Sequence, residues 1–349
     1  MGILRLYLAL VVVNFHAMPY FTNGHGGSWL QIFTGIGGQS AVEIFFVISG
    51  FYMALILNGA YKGNTKKYLV NRFLRIFPMY WIVLAIYLLF LEPKVALNQI
   101  NWFSNIFVVG SDFFSSLVLN RRVESLVISP AWTLAIEIPF YAFAPLLCKI
   151  NTRSLAIVAF LILAVKVCFF GLIWELSDPW TYRVFPMEWA YFLVGILIFR
   201  SSARLKAFTV RNWLLLAVCA SIHIFAAVLR YWALTTNEFI QGYLMPAIFI
   251  GSAAVFIPQL IGSERNSRLD SWLGNLSYPV YLIHMLLLTL FVKFANYIPF
   301  EKEGLTALIF FNLAVLLIAA VLSQADRLLV PLRDRNRRSE LAVTYEKSI

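Results

Sequence analysis

Leu4-Arg5-Leu6-Tyr7-Leu8-Ala9-Leu10-Val11-Val12-Val13-Asn14-Phe15-His16-Ala17 is an apolar run with a cation near its start and an imidazole near its end. At 100° and 1.5 Å per residue, the eleven-residue step from Arg5 to His16 returns to within roughly 20° of the same helix face and climbs about 16 Å. Both groups therefore lie on one stripe, three turns apart. Between them the polar side-chain groups are the Tyr7 hydroxyl and the Asn14 amide, so His16 is carried into hydrocarbon-like surroundings. An ionisable side chain at that depth is costly and is by default a functional group.

The rest of the 349 residues continues that environment. Hydrophobic residues make up 61% of the chain and charged residues 13%, and mean hydropathy is +0.78. A soluble domain carries roughly 25% charged and 45–50% apolar residues, so the expected fold class is an all-α integral membrane protein with the lipid bilayer as its solvent. Net charge is +11. Nucleic-acid binding would need a basic footprint on one soluble face. Lys and Arg instead cluster between apolar spans, as the positive-inside rule dictates, and nucleic acid is not expected as a partner. Cys148, Cys168 and Cys219 lie in or beside apolar spans. They read as small hydrophobes without a disulfide framework or metal-ligand spacing, so no metal is expected. A single Arg before the first apolar run, and Met18-Pro19-Tyr20-Phe21 after it in place of a small-residue cleavage site, point to a retained span.

Apolar length and the charges at its edges place ten spans, near 3–20, 32–58, 76–91, 129–148, 154–174, 187–200, 212–231, 240–261, 272–294 and 305–323. The second has a glycine-rich entry at Gly35-Ile36-Gly37-Gly38, and Lys62, Lys66, Lys67, Arg72 and Arg75 form a dense basic loop before the third. Residues 102–118 are apolar but broken by Ser104, Asn105, Gly110, Ser111, Asp112, Ser115 and Ser116, and read as re-entrant or interfacial. With both termini cytoplasmic, ten spans leave Lys94, Arg121, Arg122, Arg183, Arg230 and Lys302 as the basic residues of the outer loops. An eleventh span would invert the later loops and spoil this asymmetry. The expected organisation is a ten-helix bundle over 1–323 and a basic cytoplasmic tail over 324–349.

Five strings in order complete the pattern: Arg5 with His16, Glu43-Ile44-Phe45-Phe46-Val47-Ile48-Ser49-Gly50-Phe51, Arg72-Phe73-Leu74-Arg75-Ile76-Phe77-Pro78, Trp132-Thr133-Leu134-Ala135-Ile136-Glu137, and Leu276-Ser277-Tyr278-Pro279-Val280-Tyr281-Leu282-Ile283-His284. Together they resemble the transmembrane acyltransferase-3 family over nearly the whole chain. The resemblance implies an enzyme that takes an acyl group, usually acetyl, from cytoplasmic acyl-CoA and places it on an acceptor hydroxyl. The acceptor it implies is a surface polysaccharide or a lipid-linked sugar, in a bacterial inner membrane. Acetyl-CoA or another acyl-CoA is then a donor substrate, and no permanently bound cofactor is expected. Whether the chain acts alone, as a homo-oligomer or with glycan-assembly partners stays open.

Residue chemistry gives these positions their expected roles. Imidazole near its neutral pKa can remove a hydroxyl proton or carry an acyl group, so His16 is the candidate base or nucleophile. Glu43, a carboxylate inside a span, must pair or be neutral, and the first-span histidine is its natural partner. The family often has aspartate there, one methylene shorter. Arg5, Arg72 and Arg75 suit the phosphates of CoA, because guanidinium binds phosphate through paired donors. Ser49 and Gly50 either let a pantetheine arm approach the backbone or form a small-residue helix contact. Trp132 and Glu137 diverge around a helix, and both are candidates to line a polar channel or the acceptor side. Tyr278, Tyr281 and His284 share a stripe that could line the acceptor side. His25 and His223 have no assigned role, Lys293 can snorkel at a span end, and Lys166 needs a partner the sequence does not name. Two rivals remain: a transporter, which would show inverted repeats that are not visible here, and an acyltransferase for a small metabolite or peptide.

Overall fold

The computed structural model describes residues 1–21, 37–90, 102–108, 126–172, 183, 185–209, 245–262, 268–294 and 304–333, with positions 221, 224, 225 and 228. Among these residues the regular structure is helical. The elements are α1 (Gly2–Phe21), α2 (Gly37–Asn58), α3 (Thr65–Phe90), α4 (Trp102–Phe107), a 3-10 turn (Ser129–Ala131), α5 (Trp132–Leu147), α6 (Thr152–Leu172), α7 (Phe185–Thr209), α8 (Met245–Gly262), α9 (Arg268–Lys293) and α10 (Leu305–Arg327).

Among the described residues, six helical segments are long and apolar enough to cross a membrane: Gly2–Phe21, Gly37–Asn58, Thr65–Phe90, Ser129–Leu147, Arg268–Lys293 and Leu305–Arg327. The chain is an integral membrane protein, but the expected ten spans are not established. Helices α6, α7 and α8 occupy three of the other expected positions. The expected span near 212–231 lies largely outside the described residues, as do Gly35, Ile36 and residues 109–118 of the expected re-entrant segment. The part of that segment that is described is the short helix α4. Large apolar side chains such as Phe160, Leu317 and Val321 are exposed, as lipid-facing positions of spanning helices are.

The basic loop expected before the third span is corrected. Asn64 Oδ1 accepts the Lys67 N–H at 3.1 Å, capping a helix that begins at Thr65. Lys66, Lys67, Arg72 and Arg75 therefore lie on the first turns of α3, where Arg72 and Arg75 share a face one turn apart.

The chain forms two compact units, one of Met1–Ile48 with Arg200–Ala320 and one of Ser49–Phe199 with Val321–Ile349. In the first, α1 packs along α9 and α10. Its core includes Ala9, Val13, Ala17, Val280, Leu288, Ala307, Phe311 and Val315, and Phe21, Phe291 and Phe311 meet with ring centroids 4.9–6.0 Å apart. Polar groups fix the register. Asp270 Oδ2 and Oδ1 accept the Gly2 and Ile3 N–H groups at 2.8 and 3.0 Å, satisfying orphan donors of α1. Asn14 and Asn312 exchange amide hydrogen bonds of 3.1 and 3.0 Å while each also donates to the carbonyl one turn back. At the other end the Gly304 N–H donates to the Phe21 carbonyl at 2.6 Å, with Gly304 at φ +96, a conformation that favours glycine.

In the second unit, Asn151 Oδ1 caps α6 through the Ser154 N–H at 2.8 Å. Trp81 Nε1 donates to the Ile106 carbonyl at 2.9 Å, and Asn71 Nδ2 to the Arg333 carbonyl at 3.2 Å. Phe140 of α5 stacks on Phe192 of α7 at 4.1 Å between centroids.

The approach of α1 to α9 is set by glycine. A Cβ on Gly274 would lie 2.9 Å from Gly2 Cα and 2.5 Å from an Arg5 guanidinium nitrogen, whereas one on Gly251 of α8 would meet nothing within 4 Å. Gly274→Ala is expected to cost about 1–3 kcal/mol through overpacking and to lower the unfolding midpoint in detergent. Gly251→Ala should leave that midpoint unchanged or raise it slightly.

Candidate functional site

In the first unit the expected Arg5–His16 stripe is realised on one continuous helix, α1. The half-buried His16 ring stacks on His284 of α9 at 5.3 Å between centroids and 30° between planes. His16 Nδ1 lies 3.2 Å from His284 Nε2, and His284 Nδ1 lies 2.8 Å from the Tyr281 carbonyl. The Val12 carbonyl, one turn earlier on α1, is a further acceptor for the His16 ring. His284 is fully buried. Its ring approaches Tyr281 at 6.0 Å between centroids, while Tyr278 is half-buried beside the fully covered Ser277 and Pro279. His284, a candidate for the acceptor side, is the neighbour of the candidate base.

The expected partner of His16 was Glu43, and the structure draws the pair differently. Glu43 is fully buried and its Oε1 accepts from Gln39 Nε2 at 3.1 Å on the same helix. The side-chain hydrogen bond of His16 goes to His284. Gln39 lies four positions before Glu43 on the same face of α2. Arg5 lies against Gly274, near the start of α9. His25 and His223 are outside the described residues.

In the second unit Glu137 is the centre of a polar cluster. The Ser49 hydroxyl donates to Glu137 Oε1 at 2.9 Å and the Tyr141 hydroxyl to Oε2 at 2.9 Å, with the two hydroxyls 3.5 Å apart. The guanidinium groups of Arg72 and Arg75 act electrostatically on the same carboxylate. Arg72, with Leu69, Phe73, Phe77, Ile138 and Tyr141, lines an apolar cavity of about 400 Å³. Among the described residues Arg72 Nε is buried without a hydrogen-bond partner. Sequence reasoning missed Tyr141, although its i+4 spacing from Glu137 on α5 was a signal. Trp132 sits at the start of α5. The Arg183 guanidinium lies over its ring at 5.7 Å.

Gly50 makes a close helix contact. A Cβ there would collide with the Phe192 carbonyl of α7, so the space above it is taken by a helix backbone. Lys166 has its partner on α7. Its ammonium lies 2.7 Å from Glu188 Oε1, 3.1 Å from the Tyr191 hydroxyl and 4.6 Å from the Tyr191 ring centroid, with all three side chains buried. Among the described residues no three His, Cys, Asp or Glu side chains converge on a metal position.

Residues 1–324 match the sequence profile of an acyltransferase domain. The chain belongs to the acyltransferase-3 family. It is 26% identical over 264 residues to the exopolysaccharide production protein ExoZ of Rhizobium meliloti, covering 73% of this chain and 78% of that one. It is 30% identical over 158 residues to the peptidoglycan O-acetyltransferase OatA of Listeria monocytogenes, covering 41% of this chain and 22% of that one. No solved structure matches. This acyltransferase therefore keeps its ionisable motif residues on membrane helices, in the two sets described.

The Lys166–Glu188 pair outside the motifs makes a separate demand. Removing one partner leaves an uncompensated buried charge, so Lys166→Met alone is expected to destabilise the fold by about 3–5 kcal/mol. The double variant Lys166→Met, Glu188→Leu should recover most of that loss in detergent unfolding measurements, because an apolar pair of similar volume needs no charge balance.

Proposed function

We propose that this acyltransferase moves an acyl group, most simply acetyl, from cytoplasmic acyl-CoA to a hydroxyl of a surface polysaccharide or lipid-linked sugar. It would do so in a bacterial inner membrane with both termini cytoplasmic. The observation that carries this reading is His16, an imidazole three turns into a membrane helix and hydrogen-bonded to a second imidazole. Such a group either removes the acceptor hydroxyl proton or holds the acyl group itself. In the direct route the acyl C–S bond breaks, a C–O bond forms, and the hydroxyl proton passes through His16 to the CoA thiolate.

Two further observations support the donor and the acceptor. Arg72 presents a buried, unmatched guanidinium nitrogen at the edge of an apolar cavity, which suits a ligand with phosphate at one end and an apolar arm at the other. Arg75 adds a second cation on the same helix face. The names of ExoZ and OatA point to glycans as acceptors. A small metabolite or peptide acceptor would use the same chemistry and is distinguished by the acceptor added to the assay.

The test is label transfer from radiolabelled acetyl-CoA by the purified protein in detergent. His16→Ala is expected to lower the transfer rate about 10²–10⁴-fold while the protein still binds CoA. Unchanged transfer would remove His16 from the chemistry, and no CoA binding by the parent protein would remove the donor. Arg72→Ala should raise the KM for acetyl-CoA about tenfold or more, with a smaller effect on kcat, since loss of one charge-assisted phosphate contact costs about 1.5–3 kcal/mol. An unchanged KM would detach Arg72 from the donor phosphates.

A further inference from the structure

The hydrogen bonds around His284 determine where the protons on both imidazoles sit. A backbone carbonyl only accepts, so the 2.8 Å contact from His284 Nδ1 to the Tyr281 carbonyl requires a proton on Nδ1. A neutral imidazole has one N–H, so His284 Nε2 carries a lone pair. That lone pair faces His16 Nδ1 at 3.2 Å. Two lone pairs would repel there, so His16 Nδ1 must bring the proton. His16 Nε2 is then the nitrogen left unprotonated.

We infer that His284 is a positioning residue that holds His16 in the Nδ1–H tautomer, making His16 Nε2 the atom that takes the acceptor hydroxyl proton or the acyl group. This rests on the acyl-transfer reading above. The chain of groups runs from His16 Nδ1–H to His284 Nε2, and from His284 Nδ1–H to the Tyr281 carbonyl, where it ends because a carbonyl cannot take up a proton. A proton gained at His16 Nε2 therefore leaves by the same atom, to the CoA thiolate. While His16 is cationic, the lone pair of His284 stabilises its Nδ1–H as a triad carboxylate would, but without adding a second charge to the hydrocarbon interior. Burial of His284 within α9 and the Asn14–Asn312 clip two residues before His16 hold the two rings in this register.

The chain has four histidines, so the proton positions are directly readable. The full-length protein would be labelled with ¹⁵N-histidine, placed in lipid bilayers and examined by solid-state NMR, with the His16 signals assigned by their loss in His16→Ala. The expected result at neutral pH is a protonated Nδ1 and a pyridine-type Nε2 at His16. In His284→Ala the Nε2–H form of His16 should appear and kcat should fall about ten- to a hundredfold, with the KM for acetyl-CoA within about twofold. His284→Gln, which offers a carbonyl acceptor on an unbranched stem, should restore Nδ1–H and part of kcat. A parent protein with the proton on His16 Nε2 would overturn the inference, and that measurement needs no variant at residue 284. It would equally fall if His284→Ala left both tautomer and kcat unchanged. Full transfer by His16→Ala would overturn the catalytic use of Nε2, whereas absence of transfer by the parent protein would overturn the acyl-transfer reading, and in either case the parent NMR spectrum would still decide the hydrogen-bond chain.

Discussion

A polar group inside hydrocarbon has no water to turn to, so each one must find its partner within the protein. That constraint organises most of what is distinctive here. Asn14 and Asn312 answer each other's amides and still satisfy a carbonyl of their own helices. Asp270 takes the first N–H groups of α1, Glu137 takes two hydroxyls, and Lys166 and Glu188 neutralise each other beneath a tyrosine. Each arrangement joins two helices that apolar packing alone would hold without a defined register, because lipid is as apolar as leucine.

The imidazole pair obeys the same constraint and gains chemistry from it. His16 is placed by α1, whose depth along α9 is set at one end by Asp270 and the Gly2–Gly274 contact, and at the other by Gly304 donating to Phe21. His284 is placed by α9 within the segment that follows Pro279, which removes one backbone donor from the helix. Two neutral rings can share one hydrogen bond in hydrocarbon at far lower cost than a histidine–carboxylate ion pair, which would need both charges desolvated. The second unit follows another solution, in which a carboxylate is held by two hydroxyls near two guanidinium groups beside an apolar cavity.

Much of this was legible in the chain. The eleven-residue step from Arg5 to His16 announced a shared helix face, and, apart from the start of the third, the ends of the six described spans fall close to those the charges and turn residues mark. The basic segment before the third span was misread because its charges outweighed a quieter signal, an asparagine at position 64 that could cap a helix. Partners were harder. Gln39 lies one turn from Glu43 and Tyr141 one turn from Glu137, so both contacts were available from i, i+4 spacing. The partners of His16 and Lys166 lie on other helices, and no periodicity within a helix carries that information.

By itself the sequence determined the environment and the cast: an all-helical membrane protein of the acyltransferase-3 family, with a histidine, two carboxylates and three arginines at defined positions along apolar helices. Hydropathy and helical period are local properties, and 3.6 residues per turn converts them directly into depth and face. Tertiary structure decided which polar group answers which. It set His284 rather than Glu43 against His16, closed the space over Gly50 with the backbone of α7, and gave Lys166 its glutamate. The physical reason is that hydrogen bonding reaches about 3 Å, so a partner is chosen by the rotation and offset of two packed helices, and those are properties of the packing.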